Sequence, residues 1–162
     1  MKFGVNAWSY PKTLPVEEAM RHAKSAGYAG YEVAVSAEDL EAWGTPTWRA
    51  KWERLKETAD SLGIEVPSVA TGFFWRANFV TQPEEALRVV RLECEVAQLL
   101  GARVILVVPG VGVSDLTYEE HLRRAAEGLR QAAAIAREHG VRIGLENVWN
   151  RVFAGPLEFR RL

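Results

Sequence analysis

Cysteine, histidine and long apolar runs are scarce in this sequence of 162 residues. The single cysteine, Cys94, excludes an intrachain disulfide and a multi-cysteine zinc site, and it is typical of a reducing compartment. No apolar run reaches the roughly 18 residues that a membrane span needs, and Met1–Val5 leads straight into a predicted strand without a signal peptide. Lys and Arg number 20 against 21 Asp and Glu, so no basic face for nucleic acid is indicated. These absences favour a cytoplasmic protein without membrane or nucleic acid partners.

Short β-branched runs alternate with long amphipathic segments, and this alternation predicts βα units around a parallel sheet. The predicted strands are Phe3–Ala7, Gly30–Val35, Ile64–Ala70, Arg103–Val108 and Val141–Asn147. The predicted helices are Pro15–Ser25, Trp48–Leu62, Pro83–Leu100 and Tyr118–His139. Each helix is followed by a glycine, which is typical of a helix end in the left-handed conformation.

The length of the chain limits the architecture to two alternatives. The strands recur about every 34 residues, and an eight-fold (β/α) barrel takes about 250 residues, so five units fit. The segment 155–162 opens a further helix and stops within two turns, which predicts that 1–162 is the N-terminal part of a TIM barrel, cut in its fifth helix. The alternative is a complete five-stranded, flavodoxin-like doubly wound sheet. The first loop, Asn6–Pro11, is bulky and aromatic where such a sheet has a phosphate-binding turn, so we favour the partial barrel.

The sharpest functional signal is a carboxylate at the end of the fifth predicted strand. Catalytic groups of parallel α/β proteins gather at the carboxyl ends of the strands. Glu146 ends an otherwise apolar strand, where an ionised carboxylate is costly unless it is paired, protonated or bound to a metal. Gly144 lies two residues earlier on the same face and leaves room beside it. A functional carboxylate and an ion pair with a nearby arginine both remain open.

Other candidate site residues also follow strands. Trp8, Trp75 and Trp149 come after strands one, three and five, where their rings either line a binding pocket or pack within loops. Glu32 alternates with its neighbours on strand two, so it either faces the barrel mouth or pairs with an arginine. The glycine-containing stretch Pro109–Ser114 lacks the third glycine of a nucleotide loop, so that function is not indicated.

One segment carries a resemblance to a known family. Gly144–Asn150, followed by Gly155–Glu158, resembles the fifth-strand region of the sugar phosphate isomerase/epimerase family, the xylose-isomerase-like TIM barrels. Weaker similarity is seen in Gly4–Ser9, Gly30–Val33 and Gly101–Val104.

The resemblance implies a divalent-metal enzyme that moves a proton beside a sugar carbonyl through an enediolate. It implies that Glu146 is both a metal ligand and an acid/base carboxylate, with Mn²⁺ or Mg²⁺ as the expected cation. With a sugar or sugar phosphate as substrate, the candidate contacts are Trp8, Glu32, Trp75, Trp149 and Asn150, and the flat faces of the tryptophans suit sugar C–H groups. The family's other ligands come from strands six to eight, and the histidines His22, His121 and His139 lie in or at the ends of helices. The 162 residues alone are therefore expected to be inactive.

A departure from the family pattern bears on the substrate. Free-ketose epimerases of this family place a sugar-holding glutamate shortly after an asparagine–arginine pair, but here Asn150 and Arg151 are followed by 152–154, Val-Phe-Ala. A sugar phosphate or another polyol therefore remains a candidate substrate. A related inosose-type dehydratase is a further alternative, and a metal-dependent endonuclease is disfavoured by the absence of a histidine cluster and a basic surface. A hypothesis of a different functional class is that the chain is a catalytically silent half-barrel that serves binding or assembly. The open edges of its sheet would then favour a homo-oligomer.

Overall fold

The computed structural model describes all 162 residues and arranges five parallel strands in one sheet. The strands are β1 (Gly4–Asn6), β2 (Gly30–Val35), β3 (Ser68–Thr71), β4 (Val104–Val107) and β5 (Arg142–Leu145). The helices are α1 (Val16–Ser25), α2 (Ala37–Ala42), α3 (Pro46–Leu62), α4 (Pro83–Leu100), α5 (Tyr118–Glu138) and the short α6 (Pro156–Phe159). Two 3₁₀ turns, Ala7–Ser9 and Phe73–Trp75, follow β1 and β3.

The strand order decides between the two predicted architectures. The sheet runs β1-β2-β3-β4-β5, and every neighbouring pair is parallel. A flavodoxin-like sheet would instead have the order 2-1-3-4-5, because its chain reverses direction across the sheet. The prediction of five βα units of a TIM barrel is confirmed, and the doubly wound alternative is wrong.

The core lies between the helices and one face of the sheet. Val33, Val69 and Ile105 point to that face and are almost fully buried. The alternate positions on β2, Glu32 and Ala34, are only partly buried and lie on the other face, which corresponds to the barrel interior. No helix combines the length and the apolar character needed to cross a membrane.

Two local features differ from the sequence prediction. Helix α2 was not predicted from the sequence. Its N-cap residue is Ser36, whose hydroxyl accepts a hydrogen bond from the Asp39 backbone N–H, while the Asp39 carboxylate accepts one from the Ser36 backbone N–H. Strand β3 begins at Ser68 and not at Ile64, because Pro67 has no N–H to donate to a ladder. The predicted glycine ends are present, as at Gly63, where α3 ends with φ of 59°.

Helix α5 contains a glycine that lies against a buried ring. A Cβ at Gly128 would lie 2.5 Å from both Cβ and Cδ1 of Phe79, which is itself 1% exposed. Alanine improves helix propensity by about 1 kcal/mol, but overpacking a core costs about 1–3 kcal/mol. The net effect expected of Gly128→Ala is therefore a decrease of up to about 2 kcal/mol in the free energy of unfolding, measured by urea titration.

The partner residue supplies the control for this prediction. Phe79→Ala removes the Cγ and Cδ1 atoms that lie close to Gly128, so the double variant is expected to lose less stability than the sum of the single variants. A stabilised Gly128→Ala protein would contradict the close contact.

Candidate functional site

Three exposed tryptophans lie at the carboxyl end of the sheet, as their positions after strands predict. Trp8 is in the 3₁₀ turn after β1 and is 51% exposed. Trp75 is in the turn after β3 and is 37% exposed, while Trp149 follows β5 and is 85% exposed. Large apolar side chains that are exposed to solvent and cluster together mark a binding surface.

Two of these tryptophans are brought together by the fold. The ring centroids of Trp75 and Trp149 are 4.6 Å apart, with an interplanar angle of 37°. Residues 75 and 149 belong to loops after different strands, and the loop after β4 lies between them in sequence. The pair forms an apolar surface at the mouth; we call it the tryptophan pair.

Glu146 lies directly beyond β5, at the same end of the sheet. Its backbone N–H donates to the carbonyl of Val107 at 3.0 Å, which extends the β4–β5 ladder by one bond. Its carboxylate is exposed and takes part in no ion pair or side-chain hydrogen bond, so the arginine partner considered from the sequence is not present. Gly144 does not leave empty space, because a Cβ there would lie 3.2 Å from Cγ1 of Val104.

Glu32 lies lower in the sheet than Glu146. It is three residues before the end of β2 and is paired in register with Asn6 of β1. Its Oε2 accepts a hydrogen bond of 2.5 Å from the hydroxyl of Ser68 on β3, and no arginine pairs with it. Glu32 therefore faces the barrel interior, and the structure does not bring it into the cluster formed by the tryptophan pair.

Asn150, expected from the resemblance to contact substrate, is buried. Only 1% of it is exposed, and its Nδ2 donates to the carbonyl of Gly110 at 2.5 Å. Its Oδ1 is buried without a hydrogen-bond partner. The side chain thus joins two loops and does not open onto the mouth.

The donors within these 162 residues do not hold a metal ion by themselves. No three His, Cys, Asp or Glu side chains converge anywhere in the structure. His121 is engaged by backbone at both ring nitrogens: Nε2 accepts from Val113 N–H at 2.9 Å, so Nδ1 carries the proton that is donated to the carbonyl of Thr117. Glu146 is a single free carboxylate, and any cation bound to it needs ligands from outside these residues.

Two ionisable side chains lie in the core behind the sheet. Glu93 of α4 is fully buried, and neither of its carboxyl oxygens has a hydrogen-bond partner. Burial, with a smaller contribution from the charge of Glu32, raises the pKa of Glu93 well above its ordinary value. Burial also raises the pKa of the adjacent Cys94 to about 12, which suits a core thiol and not a nucleophile.

Two arginines near the tryptophan pair were not predicted from the sequence. Arg76 follows Trp75 directly, and Arg151 lies two residues after Trp149. Both are exposed, and neither guanidinium takes part in an ion pair or hydrogen bond. Their positions beside strand-end tryptophans were the available signal, and the fold brings the two loops that carry them together at the Trp75–Trp149 contact.

Comparison with known proteins identifies the family. Residues 20–159 match the sequence model of the xylose isomerase-like TIM barrels. Comparison with curated proteins finds no match.

Solved structures of sugar epimerases have the same fold. A D-tagatose 3-epimerase-like protein is 25% identical with a TM-score of 0.75, and the match covers 99% of this chain and 59% of that one. A D-psicose 3-epimerase, determined in the presence of D-fructose, is 16% identical with a TM-score of 0.69, covering 88% of this chain and 51% of that one. An IOLI protein with a bound zinc atom is 18% identical with a TM-score of 0.69, covering 90% and 51%. The chain thus spans between 51% and 59% of the length of these structures.

Proposed function

The chain belongs to the xylose isomerase-like TIM barrel family, and we propose that it supplies the first five βα units of an enzyme that isomerises or epimerises a sugar or sugar phosphate. The reaction moves a proton at the carbon next to the carbonyl group. The observation that carries this proposal is the exposed, unpaired carboxylate of Glu146 beyond β5, at the same end of the sheet as the tryptophan pair.

Glu146 has the properties of a group that removes or returns a proton. Neither oxygen is engaged by another side chain, so both are available to a substrate. A positioned carboxylate that accepts a carbon-bound proton contributes to rate by general base catalysis. An epimerisation requires a second acid/base group on the opposite face of the substrate, and we propose that this group comes from outside the 162 residues.

A divalent cation is the second component of the proposal. The zinc atom in the IOLI structure supports a metal in the family, and the resemblance implies Mn²⁺ or Mg²⁺. We propose Glu146 as one ligand, with the remaining ligands outside this chain, since its own residues form no complete site. A bound cation stabilises negative charge on a substrate oxygen.

The tryptophan pair and the two free arginines indicate the substrate class. Exposed indole faces suit the C–H faces of a sugar ring or chain, and we propose Trp8, Trp75 and Trp149 as its apolar contacts. Arg76 and Arg151 each offer an unpaired guanidinium, the group best suited to bind a phosphate by two parallel hydrogen bonds. These arginines favour a phosphorylated substrate over a free ketose.

The proposal is tested by exchange of substrate C–H protons with solvent deuterium, followed by NMR. The protein with all its βα units is incubated with Mn²⁺ or Mg²⁺ and a panel of ketoses and ketose phosphates. We expect exchange with at least one ketose phosphate, and none with residues 1–162 alone. Absence of exchange across the panel would refute the proposal, and loss of water without an epimer would assign the related dehydratase reaction.

An assembly function is the second candidate, and the sheet edges favour it. Strands β1 and β5 each have one unpaired edge, and Leu145 on β5 is exposed. Unpaired edges promote association with another chain. A stable homo-oligomer of residues 1–162 that binds no metal and exchanges no protons would support this function over catalysis.

A further inference from the structure

Three hydrogen bonds join the end of β4 and the loop after it to the loop that follows β5. Nearest the sheet, Glu146 N–H donates to the Val107 carbonyl at 3.0 Å. Farther out, Asn150 Nδ2 donates to the Gly110 carbonyl at 2.5 Å, and Gly112 N–H donates to the Asn150 carbonyl at 2.9 Å. The pairing of the two strands therefore continues past their ends, and both outer bonds depend on residue 150.

The two glycines in 109–114 allow close packing on two sides of this stretch. A Cβ at Gly110 would lie 2.6 Å from Cγ2 of the buried Val80. A Cβ at Gly112 would lie 3.2 Å from both Cβ and the carbonyl oxygen of Arg151. Gly112 therefore fits the close approach of the loop after β5, and Gly110 fits the packing of the loop after β4 on Val80.

The chain after Asn150 is also tightly constrained. Arg151 and Phe153 have φ of 65° and 56°, the left-handed region that residues other than glycine rarely occupy. Phe153 is fully buried, in a small cluster with Val80 and Val152. Strained backbone of this kind persists only where the surrounding contacts impose it.

Trp149 lies between these two anchored points. Glu146 is held on one side and Asn150 on the other, while the indole of Trp149 itself is 85% exposed and contacts Trp75. Val148 packs against the main core and Asn147 Nδ2 contacts the Ala154 carbonyl at 3.5 Å, but the bonds of Asn150 are what tie the residue next to Trp149 to the loop after β4. The exposed half of the tryptophan pair therefore depends on a buried amide.

We propose that Asn150 is a positioning residue, whose buried side chain joins the β4 and β5 loops and so holds Trp149 against Trp75 at the carboxyl end of the sheet. The value of this placement for a substrate rests on the proposed function. The placement itself is a property of the folded chain and is measured without turnover.

The test uses the exciton couplet that two coupled indoles produce in the far-ultraviolet circular dichroism spectrum. Trp75→Phe and Trp149→Phe identify the couplet, because each removes one partner of the tryptophan pair. We expect Asn150→Leu, which keeps the side-chain volume but cannot donate to Gly110, to lose most of the couplet while the chain stays folded. Asn150→Asp, which keeps the shape but places a carboxylate against the Gly110 carbonyl, is expected to do the same.

A neighbouring asparagine gives the matched control. Asn147 is exposed on the same loop and makes one long side-chain contact, from Nδ2 to the Ala154 carbonyl at 3.5 Å, so Asn147→Ala is expected to keep the couplet. If Asn150→Leu does not fold, Gly112→Ala separates the same loops by crowding Arg151 and is expected to weaken the couplet. Folded Asn150→Leu or Asn150→Asp proteins with an unchanged couplet would overturn the proposal, since a residue that only stabilises the fold leaves the couplet of folded molecules intact.

The outcome is separable from that of the exchange experiment. A couplet that depends on Asn150 in a protein without proton exchange refutes the enzymatic function and leaves the loop assignment standing. Proton exchange together with an unchanged couplet in the Asn150 variants refutes the positioning role alone.

Discussion

Glu146→Gln is expected to lower the rate of substrate proton exchange by about 10²–10⁴-fold in the barrel with all its strands. Glutamine keeps the size of the side chain but cannot accept a carbon-bound proton. Because Glu146 makes no ion pair or side-chain hydrogen bond in the fold, its replacement leaves no buried partner unsatisfied. The exchange rate is measured by NMR in deuterium oxide, and stability by thermal unfolding.

A distant glutamate serves as the control for this effect. Glu57 on α3 is also exposed and unpaired, so Glu57→Gln is expected to match the wild-type exchange rate. A Glu146→Gln variant that exchanges within about threefold of the wild-type rate would show that Glu146 takes no part in proton transfer, because such a group typically contributes about 10²–10⁴-fold.

A second large effect is expected at Glu93, on stability and its dependence on pH. Because burial raises the pKa of Glu93 in the folded chain, the folded state keeps a proton that the unfolded state releases. The contribution of Glu93 to stability is therefore complete below its unfolded pKa and is lost as the pH rises toward the raised, folded pKa. In that window the free energy of unfolding should fall by up to about 1.4 kcal/mol per pH unit from this residue alone.

Substitution of Glu93 isolates its contribution. Glu93→Gln is neutral at every pH, so the stability difference between variant and wild type should grow as the pH increases above 4.5, the ordinary pKa of the group. Glu93→Leu also removes both unpartnered oxygens, and it is expected to be more stable than wild type at neutral pH.

Urea titrations at several pH values measure the difference, with Glu41→Gln as an exposed, unpaired control. A difference between Glu93→Gln and wild type that does not change with pH would show that Glu93 titrates normally.

The regular part of the fold could be predicted from the sequence. The five strands were located because apolar and β-branched residues recur between amphipathic helices, and Gly63 and Gly101 end α3 and α4 as expected. These signals are local, because hydrophobic periodicity and helix-capping residues can be recognised within short stretches of the chain. Helix α2 was missed because its six residues are too few to show a period.

The arrangement of the candidate site could be predicted only in part. The position of Glu146 at a strand end follows from sequence, but the freedom of its carboxylate from any arginine depends on which side chains the other loops bring near. Asn150 illustrates the limit: a polar residue in a strand-end loop favours solvent or substrate, yet it is buried against Gly110, forty residues away in sequence.

The sequence by itself determined the βα repeat, the family and the carboxylate at the end of the fifth strand, because each is encoded within a short segment. Only the tertiary structure decided the sequential strand order, the contact between Trp75 and Trp149, and the isolation of Glu93 in the core. Those features arise from contacts between segments far apart in the chain, and their energies depend on burial and distance, which no local pattern records.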